Sequence, residues 1–441
     1  MVENNCLLKA ISFSELTKWN VNLYVNKINI QSKYETLKLS KIIVPRKSRL
    51  KNKDYKGQFP IVEKIRFADG KVFFRTEKNP KTDLNVSCLN DLLVSNINFE
   101  KGAFAINKFD TIVTSTDYQS YEILIPINYD YFNQVLRTDA FLRQVKALKS
   151  GGMKTRARYD FIKQFSIPIP SLKEQDIIFK CYKKTLDQAE KLEKQADGVF
   201  CESHSYFDKI LEIEDIKPNL KSGLSFIQYK NIDFWGVDKN TCRKTIRNKK
   251  YKTVPLERLC LVGSGGTPSR NHPEYYKDGN IPWVKTTEVT DEIISDTEEK
   301  ITKKGLDNSS AKLYEPNSLI IAMYGQGQTR GRTAKLAIQA TTNQACAVLY
   351  DIDTNQVDID YLWFYFQNEY ERIRELASGN NQPNLNAGMI KSYPIVLPPL
   401  SVQKEIVSHI NQIKKQVKDL REQSKILREQ AKKEFEESVF K

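Results

Sequence analysis

Histidine is almost missing from this 441-residue chain: His204, His272 and His409 are the full complement, and each stands alone in the sequence. So few imidazoles leave little material for general acid–base catalysis or histidine-based metal ligation. The seven cysteines (Cys6, Cys88, Cys181, Cys201, Cys242, Cys260, Cys346) are odd in number, scattered, and never in a Cys-x-x-Cys spacing. Disulfide frameworks and structural zinc sites need paired sulfurs, so neither is expected. No stretch approaches the roughly 20 consecutive apolar residues that cross a bilayer, and MVENNCLLKAISF at the start lacks a basic stretch ahead of a long apolar one, so a cytoplasmic location is expected. HExxH, GxSxG and a histidine-paired nucleophile are also missing. GSGGTPSR (263–270) and GQGQTRGR (325–332) are glycine-rich, yet neither has the spacing of a phosphate-cradling loop. Asp296, Glu298 and Lys300 faintly resemble the acid–acid–lysine set of metal-dependent nucleases, but in a chain with 28% charged residues such triplets arise by chance.

What is present is repetition. The length suits two to four folding units, and 40% apolar residues suit an ordinary globular protein. Residues 150–211 align without a gap to 378–439 at an offset of 228, pairing Ser150 with Ser378, Gly151 with Gly379, Ile162 with Ile390, Pro170 with Pro398, Gln175 with Gln403, Leu192 with Leu420 and Phe207 with Phe435. Upstream, Ser12, Phe13, Trp19 and Tyr34 recur as Ser225, Phe226, Trp235 and Tyr251 at offsets of 213 to 217, so the second copy is longer between the matched ends. A duplication with divergent middles is the economical reading.

The end of each copy has helical periodicity. Ile178, Thr185, Leu192, Val199 and Tyr206, with Tyr182, Ala189, Ala196, Ser203 and Ile210, form a heptad seam. Its counterpart runs through Ile406, Ile413, Leu420, Leu427 and Glu434, with Ile410, Val417, Ser424, Ala431 and Ser438. The proline runs IPIPS (167–171) and LPPLS (397–401) lead into these helices, each about 40 residues and about 60 Å long. Small residues on the second line of the seam favour close approach, and matched length makes the two helices natural partners. The blocks between, 34–165 and 251–394, hold short β-branched runs (KVFFRTE, DTIVTST, NSLIIAMY, QACAVLYDI) and then one helical stretch each, at 130–148 and 360–377. The expected class is α+β, with two β-rich domains and two long helices.

The net charge of +15 is unevenly spread: residues 34–165 hold 24 basic and 14 acidic residues, whereas 251–394 hold 15 and 18. PRKSRLKNK (45–53) and GGMKTRAR (151–158) concentrate Arg46, Lys47, Arg49, Lys154, Arg156 and Arg158 in loops that suit phosphate neutralisation and bidentate contact with base edges. The corresponding candidates in the second copy are Arg270, Lys285, Arg330, Arg332 and Gln382 of the amide-rich GNNQPNLN (379–386).

GSGGTPSRNHPEYYKDGNIPWVKTTEV (263–289), ITKKGLDNSSAKLY (301–314), TTNQACAVL (341–349) and SGNNQPNLNAGMIKSYPIVLPPLSVQKEI (378–406) together resemble the specificity subunit of type I restriction-modification systems. The first copy retains GAFAINKFDTIVTSTDYQSYEI (102–123) and IPIPSLKEQ (167–175) but lacks counterparts of GGTPS and IPWV, and Val402 stands where the first copy has Glu174. The resemblance implies a target recognition domain over 1–165 and a linker with a second one over 216–394, with antiparallel spacer helices over 166–215 and 395–441. It further implies a non-catalytic reader of a bipartite double-stranded DNA site. Two methyltransferase subunits using S-adenosylmethionine would be its partners, with restriction motor-nuclease subunits using ATP and Mg²⁺ where present, and no cofactor would bind this chain. The spacer would fix the gap between half-sites at no more than roughly 18 base pairs. Two other readings stay open from the residues: a nuclease using Glu298 and Lys300, and a coiled-coil scaffold carrying β-rich binding domains.

Overall fold

A computed structural model describes residues 30–76, 79–148, 157–216, 245–248, 250–325, 327–377 and 384–440. The chain forms two compact units. Unit 1 joins the residues up to Glu193 to Arg421–Lys441, and unit 2 is Lys194–Leu420.

Unit 1 has six strands that matter for its frame: β1 (Thr36–Lys38), β2 (Ile43–Pro45), β3 (Leu92–Ser95), β4 (Phe104–Ile106), β5 (Tyr118–Ile123) and β6 (Ser166–Pro168). Unit 2 has β7 (Lys252–Pro255), β8 (Leu261–Ser264), β9 (Leu319–Ala322), β10 (Thr333–Leu336), β11 (Cys346–Tyr350) and β12 (Pro394–Leu397). In unit 1 an antiparallel sheet runs β2–β5–β3–β4, and in unit 2 one runs β8–β11–β9–β10. The registers repeat as well as the order. Glu122 faces Val44 and Tyr350 faces Leu261; Leu93 faces Ser120 and Ile320 faces Val348. β3 and β9 are buried throughout, which is why both read as continuous apolar runs rather than alternating ones. Each is entered through an asparagine with positive φ, Asn90 at 66° and Asn317 at 68°. Asparagine tolerates that left-handed turn better than most side chains.

The divergent middles lie between the first and third strands of each sheet. In unit 1 this interval contains the strand Arg49–Leu50, the hairpin Val62–Ile65 and Val72–Phe74, and the strand Leu84–Cys88. In unit 2 it contains Ile281–Val284, Ile293–Ile294 and Lys300–Ile301, of which Ile293–Ile294 adds a parallel fifth strand beside β10.

The helices are α1 (Tyr129–Val135), α2 (Asp139–Leu148), α3 (Leu172–Leu211), α4 (Ile359–Asn368), α5 (Tyr370–Glu375) and α6 (Leu400–Phe440). Each helical stretch expected at 130–148 and 360–377 is therefore broken into two. In both units the entry strand pairs with the strand that leads into the long helix, Leu37 opposite Ile167 and Val254 opposite Ile395. Gln175 and Gln403 then lock the start of that helix to the sheet-side helix. Gln175 accepts from the Asn128 amide at 2.8 Å and donates to Pro170 O at 2.8 Å; Gln403 accepts from the Asp358 amide at 2.8 Å and donates to Pro398 O at 2.8 Å. Asn128 and Asp358 are themselves the N-caps of α1 and α4.

The Glu174/Val402 departure has a local cause. Ser171 and Glu174 exchange hydrogen bonds as a capping box at the start of α3. The equivalent of Ser171 is Pro399, which has no hydroxyl and no N–H to satisfy, and Val402 packs instead against the apolar core of unit 2.

Within unit 1 the first half of α3 lies antiparallel to the last part of α6: the Ser424 hydroxyl donates to Ala189 O at 2.8 Å, and Arg421 stands 3.7 Å from Glu193. Within unit 2 the second half of α3 packs Ala196 and Val199 with Ile413, Val417 and Leu420. Ala189, Ala196, Ser424 and Ala431 are fully buried, so the small residues of the seam do permit close approach. The final turns depart from the heptad: Phe207, Leu211, Phe435 and Val439 are buried, rather than Tyr206, Ile210, Glu434 and Ser438. There these residues enter the core of the β-rich unit, while Tyr206 stays 3.9 Å from the His409 ring and Phe435 5.3 Å from the Tyr182 ring on the facing helix. Among the described residues no helix is long and apolar enough to cross a membrane.

Candidate nucleic-acid interface

Backbone hydrogen bonds gather the candidate loops at one end of each sheet. In unit 1 that end is where β3 finishes and β5 begins. Asn96 N donates to Asp117 O (2.8 Å), Ala157 N to Asn96 O (2.8 Å) and Arg46 N to Ser120 O (2.9 Å). Arg49 pairs in register with Asn85, whose side-chain amide donates to Tyr118 O at 2.7 Å. Arg158, more than 100 positions away in sequence, is thus drawn to the same edge as Arg46, Lys47 and Arg49. Lys154 and Arg156 lie outside the described residues, between Leu148 and Ala157.

Unit 2 repeats the arrangement with other side chains. Met323 N donates to Ala345 O (2.8 Å), Leu385 N to Met323 O (3.1 Å), Asn343 N to Val284 O (3.0 Å) and Gly266 N to Thr342 O (2.9 Å). These bonds bring together the β9–β10 loop with Arg330 and Arg332, Lys285 after its strand, and the GGTPSR turn with Arg270. Gln382 lies outside the described residues, just ahead of the anchored Leu385. The two β-loops close on matching glycines, Gly102 (φ 91°) and Gly331 (φ 87°). A Cβ on Gly102 would sit 2.8 Å from Phe67 O, and one on Gly331 would sit 3.0 Å from Arg374 Cγ. Both positions favour glycine by their positive φ, and at Gly102 the Phe67 backbone leaves no room for a Cβ.

The cations differ sharply in how they are held. Arg46 makes a bidentate pair with buried Asp91 (2.5 and 2.9 Å), with Glu122 at 3.5 Å. Asp91 also accepts from Ser120 Oγ and Cys88 N, so Arg46 braces the turn ahead of β3, and the hydrogen bond to Asp91 raises its pKa further. Lys47, Arg49 and Arg158 are exposed and form no ion pair among the described residues. In unit 2, by contrast, Arg270 meets Glu299 at 2.6 Å, Lys285 meets Glu298 at 2.8 Å and Arg332 meets Asp291 at 3.4 Å. Burial, and then the neighbouring Arg374, lower the pKa of Arg330.

Arg374 was not among the sequence candidates. Its guanidinium donates to Arg330 O (2.8 Å), Gly327 O (2.9 Å) and the Tyr370 hydroxyl (3.0 Å), while Tyr370 donates to Gln328 O at 2.7 Å. It moulds the β9–β10 loop from the flanking helix α5, a role that only tertiary structure discloses. The nuclease triplet is not assembled: Glu298 pairs with Lys285, and Lys300 with Asp296 at 3.0 Å. Among the described residues no group of three or more His, Cys, Asp or Glu side chains is placed to hold a metal ion.

The family model for the type I restriction modification DNA specificity domain matches residues 248–428, the span that holds every loop of the unit 2 edge. Over that span the chain is similar to the type I restriction modification DNA specificity domain. It is 24% identical over 179 residues to the EcoR124I/EcoR124II specificity subunit of Escherichia coli, covering 39% of this chain and 44% of that one. To the MjaIX specificity subunit of Methanocaldococcus jannaschii it is 20% identical over 307 residues, covering 68% and 67%. The match spans less than half the length of the Escherichia coli relative. A solved chain of a type I R-M system, described for its complex assembly and conformational transition, superposes with a TM-score of 0.58 at 15% identity, covering 93% of this chain and 98% of that one. That likeness concerns the fold.

Proposed function

We propose that this chain reads a bipartite site on double-stranded DNA, one half through each unit, and delivers that choice to partner subunits that carry out the chemistry. The observation that carries this reading is the duplicated sheet, which presents the same end twice with different loops and different charge. Lys47, Arg49, Lys154, Arg156 and Arg158 supply phosphate and base-edge contacts in unit 1. Arg270, Lys285, Arg330, Arg332 and Gln382 do so in unit 2, and Arg46 acts indirectly, by bracing its loop. The partners are two methyltransferase subunits that use S-adenosylmethionine to methylate adenine N6, joined by ATP- and Mg²⁺-dependent motor-nuclease subunits where restriction occurs. The exposed flank of α3 bearing Lys180, Lys183, Lys184 and Lys191 offers such partners a basic docking face. The 40-residue and 41-residue helices set the unread gap between half-sites.

Selection of bound duplexes from a random pool tests the reading, using the chain with its methyltransferase partners. Two fixed half-sites at constant separation are expected. Arg158→Ala should relax or weaken one half alone; uniform loss over all sequences would mark Arg158 as a phosphate contact only. A pool recovered without sequence preference would overturn the proposal.

A further inference from the structure

The segment 296–300 places carboxylates on the two cations that unit 2 offers from its GGTPSR turn and from the end of its Ile281–Val284 strand. Glu298 meets Lys285 at 2.8 Å and Glu299 meets Arg270 at 2.6 Å. Neither pairing is a chance meeting of long side chains. A single carboxylate, Glu288, accepts from the backbone amides of both Lys285 (2.8 Å) and Glu298 (2.9 Å), fixing the two chains side by side. Arg270 is separately placed by aromatic rings, its guanidinium 4.1 Å from the centre of Tyr276 and 5.2 Å from that of Trp283. Trp283 is itself tied by its indole N–H to Gly266 O at 2.9 Å.

The pairs are wet. Glu298 is 72% and Lys285 26% exposed, Arg270 53% and Glu299 36%, and ion pairs open to solvent in this way add little to stability. Arg270 holds Glu299 below the usual carboxylate range, so the carboxylate is ionised wherever the protein works. In unit 1 Lys47, Arg49 and Arg158 face solvent without an acid among the described residues, and Arg46 is committed to buried Asp91.

We propose that Glu298 and Glu299 are specificity-determining residues that occupy, with carboxylates, the positions DNA phosphates take on Lys285 and Arg270. This rests on the DNA-reading function above. A duplex of arbitrary sequence offers phosphates only, so it must exchange one anion for another on the same cation and also approach the displaced carboxylates. The exchange brings little gain, and the approach is repulsive. A cognate half-site adds base-edge contacts that offset both. Unit 2 therefore sacrifices non-specific affinity for discrimination, whereas unit 1 grips phosphates through its own field.

The test compares the full chain with its E298Q/E299Q variant, each assembled with the methyltransferase partners, on a duplex carrying the selected site and on a scrambled duplex, across a salt series. Two uncovered cations should steepen the salt dependence of scrambled binding by close to two counterions. The affinity lost between about 50 and 200 mM salt then deepens by about tenfold. The cognate-to-scrambled ratio should fall. D296N, which removes a pair to Lys300 that touches no candidate cation, should leave the slope unchanged. Matching thermal melts for wild type and E298Q/E299Q keep the comparison on folded protein, and the single variants E298Q and E299Q should each give half the slope change. If wild type discriminates between duplexes and the double variant matches it in slope and ratio, the gating idea is overturned while the DNA-reading function stands. If wild type binds neither duplex, the function itself fails.

Discussion

Phe435 packs its ring 5.8 Å from that of Tyr131, although 304 positions separate them. In unit 2 the same separation of 5.8 Å holds between Phe207 and Tyr361. Each β-rich unit is completed by the last turns of the long helix that belongs to the other copy. All four rings are essentially inaccessible to solvent.

Phe435→Ala should therefore destabilise unit 1, and Phe207→Ala unit 2, each by about 3–5 kcal/mol. Urea denaturation followed by unit-resolved hydrogen exchange reads both. A cost below about 1 kcal/mol for either would mean that the helix ends are not part of the unit cores.

Gln175 and Gln403 are nearly or fully buried. Replacing Gln403 by Ala leaves the Asp358 amide and two carbonyls, Pro398 O and Gln356 O, without their partner. The loss should be about 2–4 kcal/mol, since each buried group left unsatisfied costs about 1–3 kcal/mol. Glutamate at this position keeps the acceptor and loses the donor, so it should recover only part of the stability measured by denaturant midpoint.

Much of this frame was legible in the sequence, because a duplicated chain prints its architecture twice. The constant offset of 228 between Gln175 and Gln403 and between Phe207 and Phe435 survives as corresponding contacts, and the small residues of the seam mark where the helices touch. The choice of core was not legible. A heptad reading continues to Glu434 and Ser438, and only the β-rich unit explains why Phe435 and Val439 replace them. Charge was also misleading at single positions. Arg46 stands in the densest basic run yet is committed to Asp91, and nothing local in the sequence says that a buried acid lies 45 positions away. Arg374 escaped notice because loop-moulding bonds to carbonyl oxygens leave no trace in composition.

Glu369 is fully buried beside Arg372, accepts from the Tyr393 hydroxyl at 2.7 Å, and has Asp208 nearby. Burial pushes its carboxyl up to about 7, against the pull of Arg372 and the Tyr393 hydrogen bond. An unfolded glutamate titrates near about 4.3, so between these values the folded chain binds the extra proton. The stabilisation is complete below the unfolded value and disappears as pH rises through about 7. Unit 2 should accordingly lose stability from about pH 4 to about pH 7, and Glu369→Gln should flatten that decline. Equal slopes for both proteins in urea midpoint against pH would contradict the assignment.

Arg374→Gln should speed hydrogen exchange across 325–332 while leaving β9 and β10 protected, because it removes donors to Arg330 O and Gly327 O without disturbing the sheet. The same variant should weaken recognition of the half-site read by unit 2 and spare the other. Equal weakening of both halves would argue against one half per unit.

Gap length tests the central claim most directly. Inserting one heptad into α3 and one into α6, at paired positions of the seam, lengthens both helices by about 10 Å. At about 3.4 Å per base pair, the preferred gap should widen by about three base pairs, with both half-sites unchanged, in duplexes selected by the chain with its methyltransferase partners. An unchanged gap, or altered half-sites, would contradict a two-unit reader held apart by its helices.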